Sequence, residues 1–219
     1  MKLSHSYSSI KLFENCPYRY MRQRVTKDIV DEGGEASRNG ERIHKFLEDR
    51  LKENTKLPQE VSHYEPLCKA VEQIASTGEL HIEKELVLNP DLQPTGWWDA
   101  DAWFRSKLDI LVINGHDAVV MDWKTGKRKP DFFQMQIFAV QVFKHFPDVV
   151  RVKTSLVWLK DNKMDTETYN RLEANELWAE IIKRVNRIET ALEHDVWPAR
   201  PSGLCRYCPA RHDCDFAKL

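Results

Sequence analysis

The chain has 219 residues, 42% of them hydrophobic and 31% charged, a size and balance that fit one soluble globular domain rather than two independent cores. Its 33 lysines and arginines are matched by 34 aspartates and glutamates, so nucleic-acid binding through net positive charge is excluded and any such function must rest on a local patch. No run approaches a membrane span and the N-terminus lacks the apolar core of a signal peptide, so the expected location is cytoplasmic, where five cysteines speak for metal binding rather than disulfides.

Along the chain, the hydroxyls between Ser4 and Ser9 offer N-caps to short helical pieces that carry Ile10 and Phe13. Cys16-Pro17-Tyr18-Arg19-Tyr20, followed by Arg22 and Arg24, interleaves aromatic and basic side chains. Such a mixture stacks bases and holds phosphates, although an amphipathic helix with a solvated arginine face gives the same pattern. Gly33-Gly34 interrupts the chain before Ile43, Phe46, Leu47 and Leu51, whose spacing is helical, with His44 and Glu48 on one face. A second helix is expected around Tyr64 to Ser76, with Cys68 as a packing residue. Ile82 to Leu88 alternates in part, carries Glu83 and Glu85, and reads as the strand that opens a sheet.

After a turn-rich link over 90–96, Lys107 to Ile113 reads as a strand ending at Asn114-Gly115, the strongest hairpin signal in the chain. His116 to Trp123 is then the antiparallel return strand, which places Asp109 and Asp122 on neighbouring strands at comparable heights. Phe132 to Phe146 is expected to be a helix bearing Gln134 and Gln136. Arg151 to Lys160 is expected as a strand with Val152, Val157 and Leu159 buried, and Met164 to Tyr169 as an edge strand. Leu172 to His194 follows as a long amphipathic helix. This order describes an α/β (α+β) domain around one mixed sheet flanked by helices.

The stretch Met121-Asp122-Trp123-Lys124-Thr125-Gly126 sits at the centre of the chemistry. With a side-chain period of two, Asp122 and Lys124 leave a strand on the same face, about 7 Å apart along the chain. Asp109 and Asp122 are hard oxygen donors suited to Mg²⁺ or Mn²⁺. A metal held there neutralises charge on a scissile phosphate and lowers the pKa of a bound water, and Lys124 orients that water or stabilises the developing charge. His44 adds a candidate imidazole ligand. A salt bridge between Lys124 and one aspartate is the plainer alternative. The loop Lys127-Arg128-Lys129 is a local basic patch, with Arg19 and Arg22 as its extension toward DNA.

Three further cysteines, Cys205, Cys208 and Cys214, fall within ten residues near the C-terminus. With Cys16 as the fourth ligand they make a site for a 4Fe–4S cluster or for Zn²⁺, closing nearly the whole chain into one loop. His212 is a lesser candidate for the fourth position.

Together, His44, Asp109, Asp122-Trp123-Lys124 and Gln134 resemble, in order, the motifs of the PD-(D/E)XK nuclease superfamily in its RecB-like branch. The cysteine set resembles that of its iron–sulphur members, the CRISPR-associated adaptation exonucleases and related viral nucleases. The resemblance spans Cys16 to Cys214. It implies a restriction-endonuclease-like core and a metal held by His44, Asp109, Asp122 and the backbone carbonyl of Trp123. It implies Lys124 as catalytic lysine, Gln134 as a residue that holds the lysine or the DNA, and a cluster on Cys16, Cys205, Cys208 and Cys214. Phe138 stands where the family usually has tyrosine, and Arg105-Ser106-Lys107 replaces a common glycine.

The implied domain is single, over residues 1–219, with a nuclease core at 25–195 and a cluster region formed by 1–24 and 196–219. The implied activity is metal-dependent hydrolysis of DNA by a metal-activated water, as an exonuclease on single strands or ends. Recombination, replication or CRISPR adaptation would supply its protein partners. The rival expectation is a non-catalytic DNA-binding or assembly subunit with a structural metal cluster.

Overall fold

A computed structural model describes residues 3–217. Helix α1 (Tyr7–Asn15) starts at a capping box in which Ser6 and Ser9 satisfy each other's backbone N–H groups. It is followed by α2 (Pro17–Tyr20), which runs on into a π-helical turn over Met21–Val25. Next come α3 (Glu35–Glu53), α4 (Glu65–Ala75) and a five-stranded sheet of β1 (Glu79–Leu88), β2 (Phe104–Asn114), β3 (Asp117–Lys124), β4 (Arg151–Trp158) and β5 (Lys163–Asn170). Helix α5 (Phe132–His145) joins β3 to β4, and α6 (Ala174–His194) follows β5. No helix among the described residues is long and apolar enough to cross a membrane.

Two compact units emerge, one over residues 34–178 and one made of the chain through residue 33 and from 179 onward. The division falls inside the expected bounds of 25 and 195 because most of α6 goes with the N-terminal helices. His5 Nε2 lies 3.3 Å from Glu189 Oε1, and Arg184 Nη1 lies 3.2 Å from Glu14 Oε1.

In the sheet unit the strands lie in sequence order, β1-β2-β3-β4-β5, and β3–β4 is the one parallel pair. A parallel step needs a crossover, which α5 provides. The hairpin between β2 and β3 turns on Gly115-His116, one residue later than the expected Asn114-Gly115, because Asn114 is itself paired with Asp117. Gly115 takes φ +58°, a conformation glycine adopts without strain at the first position of a two-residue hairpin loop.

Helices α3 and α4 cover one face, where Ile43, Leu47 and Val71 meet Ile110, Val112 and Met121 in one apolar cluster. Arg50 ties the two helices together, with Nη2 2.6 Å from Glu65 Oε1 and Nη1 2.8 Å from Glu72 Oε1. Helix α5 is buried over most of its surface, Phe138 included. Phe138 is therefore a core residue, which accounts for an apolar ring in place of a hydroxyl.

Candidate active site

Asp122 and Lys124 leave β3 on the side of α5. Asp131 caps that helix by accepting the N–H of Phe133, which aims the first helical turn, and Gln134 within it, at the end of β3. Gln134 Nε2 donates to Asp122 Oδ1 at 2.9 Å, while its Oε1 accepts from Lys124 Nζ at 2.7 Å. One amide thus grips both members of the Asp-x-Lys pair. Lys124 Nζ also stands 2.6 Å from Asp122 Oδ2 as an ion pair, and apart from that ammonium the buried Oδ2 has no partner. Burial pushes the Asp122 carboxyl up to about 6, and the charge of Asp109 adds to the shift while Lys124 and His44 oppose it.

Asp109 reaches this place through an interruption of the sheet. Ser106 on β2 lies toward α5, where Gln141 Nε2 approaches its hydroxyl at 3.4 Å, whereas Ile110 and Val112 pack in the cluster with α3. All three are even-numbered, so strand alternation reverses between them. The reversal coincides with Glu83 and Asp109, which the register sets opposite each other but which are left unpaired between Ile82↔Ile110 and Lys84↔Leu108. Glu83 has φ +54°, a strained conformation for a residue other than glycine inside a strand. On the other edge of β2 the ladder with β3 ends at Ile110↔Met121. One residue on, the N–H of Trp123 donates to Asp109 Oδ2 at 2.7 Å.

The free edge of this interruption is filled from α3. His44 Nδ1 lies 3.5 Å from Asp109 Oδ1. Burial alone would depress the His44 imidazole, but its hydrogen bond to Asp109 and the charges of Asp109, Asp122 and Glu83 hold it above the usual value. Gly40, one turn earlier, explains how the helix comes so close. A Cβ there would sit 2.7 Å from Thr125 Oγ1, so a side chain at 40 would push α3 away from the end of β3.

Ligand atoms of His44, Glu83 and Asp109 all lie within 4.8 Å of one another, the one such group of three metal-ligating side chains among the described residues. They line an open cleft of about 450 Å³ together with Gly40, Glu48 and Lys107. Imidazole and carboxylate donors fit Mg²⁺ or Mn²⁺, and buried Asp122, whose Oδ2 is ion-paired with Lys124, is a further oxygen donor beside them. Glu83 was missed as a site residue in the sequence. Its parity in a regular strand gives no such placement, and the opposition of Glu83 to Asp109 appears once the β1–β2 register is known.

The basic residues are arranged differently from expectation. Arg128 pairs with Asp165 on β5, Arg19 Nη2 lies 2.5 Å from Asp31 Oδ2, and Arg22 bridges Asp28 and Asp213. These three guanidiniums are held by carboxylates. Lys127 and Lys129 are exposed and make no ion pair among the described residues.

Cys16, Cys205, Cys208 and Cys214 line one cavity of about 40 Å³ in the terminal unit. Sulfur acceptors are already in use there, with the N–H of Arg200 donating to Cys16 Sγ at 3.5 Å and that of Ser202 to Cys205 Sγ at 3.3 Å. No three of these sulfurs lie within 4.8 Å of one another, so the expected four-cysteine clip is a shared cavity wall rather than a gathered ligand set. Cys68 is buried apart from them, and burial pushes its thiol up to about 11.

A family model for the PD-(D/E)XK nuclease superfamily matches residues 4–215. No curated protein matches the sequence. Among solved structures, a protein from Eubacterium rectale with the provisional designation exonuclease has a TM-score of 0.60 at 15% identity, covering 99% of this chain and 90% of that one. The structure of SSO0001 has a TM-score of 0.53 at 11% identity, covering 100% of this chain and 89% of that one. At such identities the likeness concerns the fold alone.

Proposed function

The chain belongs to the PD-(D/E)XK nuclease superfamily, and on that premise we propose that it is a metal-dependent deoxyribonuclease, an exonuclease acting on single strands or free ends. The observation that carries this reading is the clamp of Gln134 on Asp122 and Lys124. It holds an ammonium at a fixed place beside a buried carboxylate whose second oxygen has no other partner.

Asp109 and Asp122 would hold the divalent cation, with the Trp123 carbonyl and His44 as neighbouring donors. When bound, that cation supplies charge neutralisation of the scissile phosphate and acidifies water. Lys124 is the catalytic residue that donates to the attacking water or to the phosphoryl oxygen gaining charge. Gln134 is a positioning residue that keeps the Lys124 side chain extended. Lys127 and Lys129 draw the phosphate backbone toward the end of β3 in a sequence-tolerant, salt-sensitive way. Arg128, Arg19 and Arg22 would join them only by exchanging a carboxylate for a phosphate.

Cys16, Cys205, Cys208 and Cys214 would carry a 4Fe–4S cluster. The shared cavity and the N–H groups directed at two of the sulfurs support that reading, since such bonds tune and hold thiolate-ligated clusters. Zinc at the same cysteines is the alternative, and iron and zinc analysis of anaerobically purified protein distinguishes them.

The decisive assay uses single-stranded DNA labelled at the 5′ or the 3′ end, with Mg²⁺ or Mn²⁺. Metal-dependent release of nucleotides that is lost in Asp122→Ala and Lys124→Ala is the expected result. Hydrolysis that persists unchanged in both variants would sink the proposal.

A further inference from the structure

We propose that Trp98, at the tip of the connection between β1 and β2, is a platform on which a base of the single strand entering the cleft of Asp109 stacks. This rests on the deoxyribonuclease reading above and names the side chain that lets the site tell single strands from duplex.

Residues 89–103 join β1 to β2, a long connection for a compact unit and one braced from within. The Thr95 N–H donates to the Val87 carbonyl at 3.0 Å and that of Trp103 to the Leu88 carbonyl at 2.9 Å. Both ends of the loop are thereby tied to β1. Its tip is the turn Gly96-Trp97-Trp98-Asp99, closed by the Asp99 N–H on the Gly96 carbonyl at 3.2 Å. The Asp99 carboxylate folds back on the turn, accepting from the Gly96 N–H at 2.7 Å and from the Thr95 hydroxyl at 2.8 Å. Central turn positions favour small or polar residues, yet both here are tryptophan. Trp97 is accounted for within the chain. Arg105 Nε donates to its carbonyl at 3.0 Å, and the guanidinium lies 5.6 Å from its ring centroid. Trp98 is 88% exposed, so the fold spends a large apolar ring on open solvent at a place it has taken trouble to fix.

The loop lies at the end of the sheet where the chemistry is. The β2–β3 hairpin closes the opposite end, whereas Lys124 ends β3 and Phe104 begins β2. Lys107 lines the cleft with Asp109, and Arg105 leaves β2 on the same face about 7 Å further out. The order along that face is Asp109, Lys107, Arg105 and then the tip. Lys107 is paired with Glu83; the Arg105 guanidinium brings positive charge beside the tip itself. A strand whose scissile phosphate sits at Asp109 and whose backbone follows this face reaches Trp98 within a few nucleotides. An indole stacks on any base, because every base has a π-face, so the contact is tolerant of sequence. Within a duplex the bases are already stacked on one another and offer no free face. Trp98 also projects alone, with Asp99 and Ala100 exposed beside it, which suits one base and not the broad contact area a protein partner takes. A braced tip loses little freedom when a base settles on it.

The test is the affinity of the full-length protein, with its cysteine site intact, for a fluorescent single strand of thymidine nucleotides. Phosphorothioate linkages keep the strand from being cut in Mg²⁺, and binding is read by anisotropy. Trp98→Ala should weaken binding roughly tenfold without lowering the melting temperature, and Trp98→Phe should restore most of the loss. A strand of the same length made of abasic nucleotides should bind the wild type and Trp98→Ala alike, because the ring then has no base to meet. Unchanged affinity of Trp98→Ala for the thymidine strand would overturn the assignment. So would an equal loss on the abasic strand, since the ring would then serve the backbone or the fold. If Trp98→Ala does not fold, Trp98→Phe and the wild type still decide, as equal wild-type affinity for the two strands speaks against stacking. A wild type that binds neither strand and releases no nucleotide from DNA with Mg²⁺ or Mn²⁺ overturns the deoxyribonuclease reading as a whole. That is a different outcome from a wild type that binds no better than Trp98→Ala.

Discussion

The sheet unit buries a continuous apolar cluster running from Leu47 and Val71 on its helices to Ile110, Met121, Trp123 and Val157 on its strands. In the terminal unit the buried apolar residues are fewer, chiefly Ile10, Phe13, Tyr20, Ile181, Val185 and Ile188. The rest of its cohesion is polar or aromatic. Arg22 links Asp28 to Asp213, Arg200 Nη1 donates to the Glu14 carbonyl at 2.7 Å, and Tyr20 stacks on Trp197 with ring centroids 6.1 Å apart. A large core can underwrite a locally unfavourable feature, and the sheet unit uses that margin to hold Glu83 close to Asp109 and to bury Asp122. A small core has no such margin, and small units of this kind are commonly closed by a metal. In one unit the candidate metal ligands should detract from stability; in the other the proposed cysteine ligands should add to it.

The sharpest way to break this contrast is to remove the charge of Asp122. Asp122→Asn should lower metal-dependent hydrolysis by at least roughly a hundredfold, while the melting temperature stays level or rises, because a buried carboxylate beside Asp109 no longer has to be ionised. Leu47→Ala should do the reverse, losing about 2–5 kcal/mol of stability. If Asp122→Asn melted as early as Leu47→Ala, the contrast would be wrong.

Next in size is the response of the terminal unit to a lost thiolate. Cys205→Ser should leave residues 34–178 protected in hydrogen exchange while the segments before 34 and after 178 exchange rapidly. Uniform protection throughout would show that the cysteines contribute nothing to that unit.

Gly40→Ala sharpens the comparison from within the sheet unit. The new Cβ meets Thr125 Oγ1, so His44 should be displaced by a few tenths of an ångström, with roughly a tenfold loss of activity and weaker Mn²⁺ binding. Helix content should not fall, since alanine is the better helix former.

The smallest effect is that of pH, and it should be felt in both units. His5 in the terminal unit and His145 in the sheet unit are depressed mainly by burial. His145 accepts the Val87 N–H through Nε2 at 3.2 Å, so its Nδ1, 2.9 Å from the Gln141 carbonyl, carries the proton. For such groups the unfolded chain takes up protons first, so stability should fall as pH drops below about 6.5. His44 is raised and runs the other way: its contribution is full below that pH and fades as pH rises through its folded value. The histidines' share of stability should therefore decline toward acid between pH 7.5 and 5, read as a smaller acid-side loss in melts of His145→Gln if that variant folds, while protonation of Asp122 near 6 works against the decline in both proteins.

Much of the architecture was legible because it follows from periodicity and local turn chemistry. The apolar spacing of Ile43, Leu47 and Leu51 and the β2–β3 hairpin depend on neighbours in sequence. So does the crossover helix bearing Gln134, and each stands close to where it was expected. The comparable heights of Asp109 and Asp122 also follow from the hairpin, although counting from Asn114-Gly115 sets Asp109 against Val120 and the observed turn brings it level with Asp122. The turn itself was placed one residue early because Asn114 pairs across the strands.

Other parts were decided only by the tertiary structure. The pairing of Arg19, Arg22 and Arg128 with carboxylates up to 191 residues away cannot be read from a run of basic residues, since charge pairing depends on distance in space. Glu83 entered the site because β1 and β2 break alternation together at one register position. Sequence determined the Asp122-Trp123-Lys124 strand and its partner across the hairpin, as both are short-range consequences of a side-chain period of two. Only the folded sheet, by giving up one pair and letting α3 approach at Gly40, decided which carboxylates His44 would face.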